Sequence, residues 1–265
     1  MYTWYMSVLH VFILSLIEGL TEFLPISSTG HLILASKLLG ISETNFVKTF
    51  EIVIQLGAIL AVVVLYMKKF LNSLSLLKKL IVAFIPTAVV GFTLYPLIKD
   101  VLLGSSTVTL DALFWGGIAL IGIELFLKKR NGSVRSNEID YERITYKKAF
   151  LIGVFQCLSV IPGVSRAAAT IIGGLATGLN RPMATEFSFL LAVPTMIAAT
   201  ALDVYKSREF ISQTGFLTLF AGSVLSFIFA MLAVKFLINF VKKHSFIGFG
   251  IYRIVLAILF WIFVK

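Results

Sequence analysis

Cysteine is nearly absent from this sequence: Cys157 is the only one in 265 residues, so no disulfide can close within the chain, and its thiol reads as a small packing residue. Histidine is almost as scarce, and His10, His31 and His244 lie too far apart in sequence to give, with one cysteine, the ligand spacing of a zinc site. Charged residues make up only 14% of the chain against 58% hydrophobic, with a mean hydropathy of +0.98, which excludes a soluble domain of this length. Acidic residues number 13 against 23 Lys and Arg. A basic excess can serve nucleic acid, but here the cations flank apolar runs, so nucleic acid is set aside as a partner. Alternating hydrophobicity is missing too. Runs such as Ile52 to Met67 are continuously apolar, which excludes a β-barrel.

Long apolar runs fill the chain instead. A helical span needs about 20 such residues, and about six appear, at roughly 46–67, 80–98, 110–127, 184–204, 214–238 and 246–264. The fold class is therefore all-α, a polytopic membrane helix bundle. The stretch Met6 to Leu20 is apolar but has no basic n-region and carries Glu18, so it reads as retained and not as a signal peptide.

Charge placement sets the orientation. Lys68, Lys69, Lys78 and Lys79 fall in one loop. Lys128, Lys129, Arg130, Arg135, Arg143, Lys147 and Lys148 fall in a second, and Lys242 and Lys243 in a third, with His244 beside them. The positive-inside rule makes all three cytoplasmic, and leaves the loops at 99–109 and 205–214 outside. Residues 128–148 form a basic cytoplasmic loop between a first half, 1–127, and a second, 149–265.

The halves echo each other. Glu18, Pro25, the Ser27/Ser28 pair and Glu51 in the first are matched by Gln156, Pro162, Ser165/Arg166 and Glu186 in the second. Pro25 precedes Glu51 by 26 residues and Pro162 precedes Glu186 by 24. The spans after these glutamates run in opposite directions, which predicts an inverted-topology repeat with two re-entrant helical hairpins, at about 6–40 and 149–180. Broken helices survive in a membrane only when buried in protein or lining a cavity, so the hairpin tips should meet near the midplane.

The chemistry-bearing residues sit in these hairpins. In EGLTEFLPISSTGH, from Glu18 to His31, the two glutamates are one helical turn apart and share a face. Pro25 ends the helix, Ser27, Ser28 and Thr29 bring hydroxyls to the break, and Gly30 permits an unusual backbone. A solvent-facing turn would explain the same string, but a carboxylate in a membrane segment costs about 2.5–3.5 kcal/mol on insertion scales, and two within one turn point to function. In the second hairpin, Pro162 and Gly163 break the chain before Ser165 and Arg166. Free N–H groups at a helix start beside an arginine make an anion site. Arg166 snorkelling to the interface is the alternative, and the acidic hairpin opposite argues against it. Together these residues read as a phosphate-handling site. Ser28 is the candidate nucleophile, His31 a general acid or base, Arg166 an oxyanion clamp, and Glu18 with Glu22 a second base or a site for Mg²⁺ or Ca²⁺. Glu51 and Glu186 either shape the cavity or cap spans, and Glu124 reads as interfacial.

The strings EGLTEFLPISSTGH, PGVSR with Thr170 following, FEIVIQLGAILAVV, EFSFLLAVP and IYR at 251–253 resemble undecaprenyl pyrophosphate phosphatases of the bacitracin-resistance type, over nearly the whole chain. The resemblance implies an enzyme of the bacterial inner membrane that hydrolyses undecaprenyl diphosphate to the monophosphate, recycling the carrier for cell-wall synthesis and contributing to bacitracin resistance. It implies an active site open to the periplasmic face and matches Glu18, Glu22, Ser28, His31, Ser165, Arg166 and Thr170 to functional positions, with Ser27, Thr29, Gly30, Gly163 and Gln156 completing the expected substrate-binding set. Either Ser28 or His31 is the attacking group. The partners expected are undecaprenyl diphosphate and bilayer lipid, and a homodimer stays open. One departure stands out: the family's Ser-Gly-Ala-Thr after the arginine is Ala167, Ala168, Ala169, Thr170 here. The alternative readings are a polyprenyl-phosphate flippase, since inverted repeats with broken helices are a transporter signature, and a lipid-binding relative with weakened catalysis.

Overall fold

The computed structural model describes residues 6–42, 44–94, 105–130, 138–207 and 213–263. Among them the backbone is helical, with no strand: α1 Val8–Thr21, α2 Ser28–Leu38, α3 Asn45–Asn72, α4 Leu74–Thr93, α5 Ser106–Arg130, α6 Tyr146–Gln156, α7 Arg166–Ala176, α8 Arg181–Ser207, α9 Gln213–Val241 and α10 Ile247–Phe263. Five of these, α3, α4, α5, α8 and α9, are long and apolar enough to cross a bilayer. The sixth expected span, 246–264, is α10, whose 17 described residues extend about 25 Å, at the short end of the range for a crossing. Large apolar side chains such as Leu60, Phe92, Phe216, Leu217 and Ile262 are exposed on these helices, a surface that suits lipid and not water. The chain is a multi-pass membrane protein.

Two short helices followed by longer ones occur twice, as α1–α5 and as α6–α10. The short pairs α1/α2 and α6/α7 are 11 to 14 residues per helix, at most about 21 Å, so neither arm of either pair spans the membrane. Short links join α2 to the start of α3 and α7 to the start of α8. Lys69 near the end of α3 reaches Glu186 near the start of α8, while Gln55 earlier on α3 and Thr195 later on α8 line one cavity, so these two long helices run antiparallel. The two hairpins therefore enter from opposite ends of the bundle. Packing follows the same correspondence: α1 lies against α9 through Gly19, where a Cβ would meet Ser226 O at 2.5 Å, and α6 lies against α4 through Gly153, where a Cβ would meet Ala83 O at 2.1 Å. Small residues at such crossings let backbones approach, the usual way membrane helices gain contact where lipid removes the hydrophobic drive.

The basic end of the bundle is more ordered than a set of loops. Lys68, Lys69, Lys78 and Lys79, expected in a loop, are helical, because α3 and α4 are joined by Ser73 alone. The Ser73 hydroxyl accepts from Leu76 N at 3.1 Å and starts α4, while lysines near the end of α3 suit its dipole. In the 128–148 segment, Tyr141–Arg143 form a 3-10 turn, the Tyr141 carbonyl accepts from the buried Lys79 ammonium at 3.0 Å, and Ile144 is fully buried. Glu124, expected at the interface, is buried instead: it pairs with Arg181 and accepts from Phe246 N at 3.0 Å, tying the ends of α5, α8 and α10. Arg135, residues 95–98 of the second expected span, and much of the outer loops at 99–109 and 205–214 lie outside the described residues.

Candidate active site

Each hairpin breaks at a serine with an unusual backbone. Ser27 has φ 72° and Ser165 has φ 74°, the only positive-φ residues besides glycine among those described. Such a conformation costs about 1–3 kcal/mol and persists where surrounding contacts impose it. Both serines then cap the helix that follows: Ser27 Oγ accepts from Gly30 N and Ser165 Oγ from Ala168 N, each at 3.2 Å. The next residue, the first of the helix, is Ser28 in one hairpin and Arg166 in the other. Equivalent backbone positions thus present a hydroxyl and a guanidinium.

Both reach one carboxylate. Glu22 Oε2 accepts a short hydrogen bond from Ser28 Oγ, and Glu22 Oε1 accepts from Arg166 Nη2 at 3.0 Å. The ion pair is almost fully withdrawn from solvent, with side-chain exposures of 9% for Arg166 and 6% for Glu22. Arg166 is steadied by donating from Nη1 to Ser188 O at 2.9 Å and by lying over the Phe23 ring, and its Nε is buried without a partner. Thr170 donates to Ser188 Oγ at 2.6 Å, which fixes α7 to α8 one turn beyond the arginine. A cavity of about 180 Å³ opens beside this triad, lined by Glu22, Ser27, Ser28 and Thr29 from the first hairpin, by Pro162, Gly163, Ser165 and Arg166 from the second, and by Gln55 and Thr195 of the spans.

Glu18 lies one turn before Glu22, fully buried, and neither of its carboxyl oxygens has a hydrogen-bond partner among the described residues. An unsatisfied buried carboxyl beside a second one suits a hard cation, and Mg²⁺ is commonly held by one or two carboxylates together with substrate phosphates. Among the described residues no third acidic, histidine or cysteine side chain joins these two carboxyls.

The sequence matches the family described as bacitracin resistance protein BacA over residues 11–259. The chain belongs to that family. Among its relatives, an undecaprenyl-diphosphatase of Sulfurihydrogenibium sp. (strain YO3AOP1) is 53% identical over 257 residues, covering 97% of this chain and 99% of the relative. Those of Persephonella marina and Aquifex aeolicus are 51% and 50% identical, over 98% and 94% of this chain and 100% and 95% of their own lengths.

In this member of the bacitracin resistance family the structure brings Glu22, Ser27, Ser28, Thr29, Gly163, Ser165 and Arg166 to one cavity. It does not bring His31 there. His31 Nδ1 lies 2.7 Å from Ser27 O and Nε2 lies 2.7 Å from Tyr252 Oη, with the two rings stacked, so the imidazole is occupied by α10 and not by Ser28. Gln156 is fully buried and donates to Thr87 at 2.9 Å and Thr195 at 3.2 Å, one residue behind the cavity wall. Gly30 supplies the capped N–H and leaves room for Leu113 and Thr109, 3.4 and 3.5 Å from where a Cβ would stand. Glu51 accepts from Ser36 Oγ at 3.4 Å, and Glu186 is held by Lys69. Ala167 and Ala168, the departures from the family pattern, are buried in the first turn of α7.

Four functional neighbours went unread in the sequence. Gln55 and Thr195 sit inside spans whose apolar character hides a single polar position, and Ser188 acts largely through its backbone carbonyl. The fourth is Arg253, quoted only as part of IYR. It is fully buried and bonded to carbonyls of both hairpin breaks. An arginine in the middle of an apolar helix was the available signal.

Proposed function

We propose that this chain hydrolyses undecaprenyl diphosphate to undecaprenyl phosphate and inorganic phosphate in the cavity between the two hairpin breaks, and so returns the lipid carrier to cell-wall synthesis. The activity named for its relatives supports the substrate. The observation that carries the chemistry is the bridging of Ser28 and Arg166 by Glu22. A hydroxyl bonded to a buried carboxylate is a nucleophile with its base in place, and a guanidinium beside it matches phosphoryl oxygens.

In this reading Ser28 Oγ attacks the terminal phosphorus while its proton passes to Glu22. The bond from that phosphorus to the bridging oxygen breaks and undecaprenyl phosphate leaves. Glu22 passes that proton to the departing phosphate oxygen, then takes one from the water that attacks the phosphoserine and returns it to Ser28 Oγ as the phosphorus–oxygen bond breaks and inorganic phosphate departs. Arg166, released in part from Glu22 as the carboxylate takes up a proton, holds the charge on the phosphoryl oxygens. The N–H groups at the starts of α2 and α7 and the unpartnered Arg166 Nε offer further donors. Glu18 is the carboxyl left to hold a divalent cation, which when bound would neutralise charge on the diphosphate. His31, engaged with Tyr252, serves in this scheme to orient the first hairpin.

The location we propose is the bacterial inner membrane, with the cavity facing the periplasmic side. The concentration of Lys and Arg at the opposite end of the bundle supports that orientation. Residues 1–127 and 149–265 act as two inverted repeats, with bilayer lipid against the exposed apolar faces and the polyprenyl tail passing between helices. Phosphate release from undecaprenyl diphosphate by the purified chain in detergent tests the function. A flippase, which the opposed hairpins would also suit, gives none.

A further inference from the structure

Arg253 lies in the middle of α10, fully buried, and no carboxylate is among its hydrogen-bond partners. All five of its N–H donors are used, and every acceptor is a backbone carbonyl: Nε to Leu113 O at 3.2 Å, Nη1 to Pro25 O at 3.1 Å and Val164 O at 2.9 Å, Nη2 to Ala112 O at 3.0 Å and Gly163 O at 2.9 Å. Pro25 belongs to the first hairpin break, Gly163 and Val164 to the second, and Ala112 and Leu113 to α5. Broken helices leave carbonyls without N–H partners, which a membrane interior punishes. One side chain answers that need in both breaks at once.

We propose that Arg253 is a positioning residue for the hydrolysis: its guanidinium fixes the two hairpin breaks to each other and to α5, and so sets the geometry in which Ser28 and Arg166 meet at Glu22. Pro25 is three residues before Ser28, and Val164 is two before Arg166, so a shift at either carbonyl moves the reacting side chains directly. The planar fork of five donors is what the task requires. A lysine keeps the charge but has three donors on a flexible stem and cannot span the same acceptors. Gly116 on α5 makes the room, since a Cβ there would stand 2.1 Å from Arg253 Nη2 and 2.9 Å from its Cζ. The inference rests on reading the cavity as the hydrolytic site, but the positioning itself has a readout that does not depend on turnover.

The test uses the full chain in detergent, comparing the parent with Arg253→Lys, Gly116→Ala and the double variant, by amide hydrogen exchange and by the kinetics of phosphate release from undecaprenyl diphosphate. Exchange in both breaks, 22–28 and 160–166, should speed up about tenfold or more in Arg253→Lys while α3 and α9 stay unchanged. The turnover number should fall by about 10²-fold, the cost of a misplacement of about 1 Å, with KM within about threefold. Gly116→Ala should act in the same direction, and in the double variant it should add less than about twofold, because the two changes break one contact. Unchanged exchange in the breaks, faster exchange across all helices, or effects that multiply would each overturn the proposal. If the parent releases no phosphate but the exchange pattern is as described, the functional reading fails and the role of Arg253 in holding the breaks stands.

Discussion

Glu22 and Arg166 are 144 residues apart in the chain and 3.0 Å apart in space, one at the break of each hairpin, in a pair almost fully withdrawn from solvent. A buried carboxylate with two donors can hold a nucleophile and a cation in register, but only while it is charged. Glu22→Gln keeps the shape and removes both functions. The turnover number should fall by about 10²–10⁴-fold, the range spanned by a positioned base, in a phosphate-release assay with undecaprenyl diphosphate. A loss smaller than about threefold would remove Glu22 from the mechanism.

Ser28 and His31 are three residues apart and are separated by the structure, one bonded to Glu22 and the other to Tyr252. Ser28→Ala should abolish measurable turnover. His31→Gln, which retains a polar side chain, should cost about tenfold or less, and Tyr252→Phe should resemble it, since each loses the same contact and neither removes a base. The reverse ranking in side-by-side kinetics would make the imidazole the reacting group.

Gly163 has φ +93°, and a Cβ there would stand 2.3 Å from Thr109 O. Gly163→Ala should lower the melting temperature of the purified protein, with about 1–3 kcal/mol lost to backbone strain before the clash is counted. Gly91, inside α4 with nothing within 4 Å of the added methyl, is the control. There the same substitution should be neutral or stabilising by up to about 1 kcal/mol, the difference in helix propensity. Equal behaviour of the two variants in thermal unfolding would contradict the packing described for the second break.

Arg181 partners Glu124, whose side chain is 1% exposed. Arg181→Met leaves that carboxylate with the Phe246 N–H alone, and thermal unfolding should show a loss of about 3 kcal/mol, as for other broken buried pairs. Phosphate release below the transition should stay within about twofold of the parent, because the pair is at the basic end of the bundle, away from the cavity. A large loss of activity in a variant of normal stability would place the basic end of the bundle inside the mechanism.

Much of this was legible before the coordinates. The long spans announce themselves because lipid tolerates apolar residues on every face of a helix, and Glu18, Glu22 and Arg166 stand out because each is costly where it sits. The matching breaks followed from Pro25 and Pro162, and the structure adds that Ser27 and Ser165 share one strained conformation. What stayed hidden has a common cause. Arg253 and Ser188 work through backbone carbonyls, which no pattern of side chains records. The sequence offers His31, three residues after Ser28, as a general acid or base, but Ser28 is the first residue of α2 and turns back to Glu22, while the imidazole bonds to the Ser27 carbonyl and to α10. The basic loop expected at 68–79 is helix because lysines sustain helices as well as they mark interfaces.

The central claim is that Ser28, bonded to Glu22 and faced by Arg166, cleaves the terminal phosphate from undecaprenyl diphosphate. The most direct measurement is phosphate release from that lipid by the purified chain in detergent, with Ser28→Ala run beside it. Release by the parent and background levels from Ser28→Ala are the predicted result. No release by the parent, or near-normal release by Ser28→Ala, would contradict it.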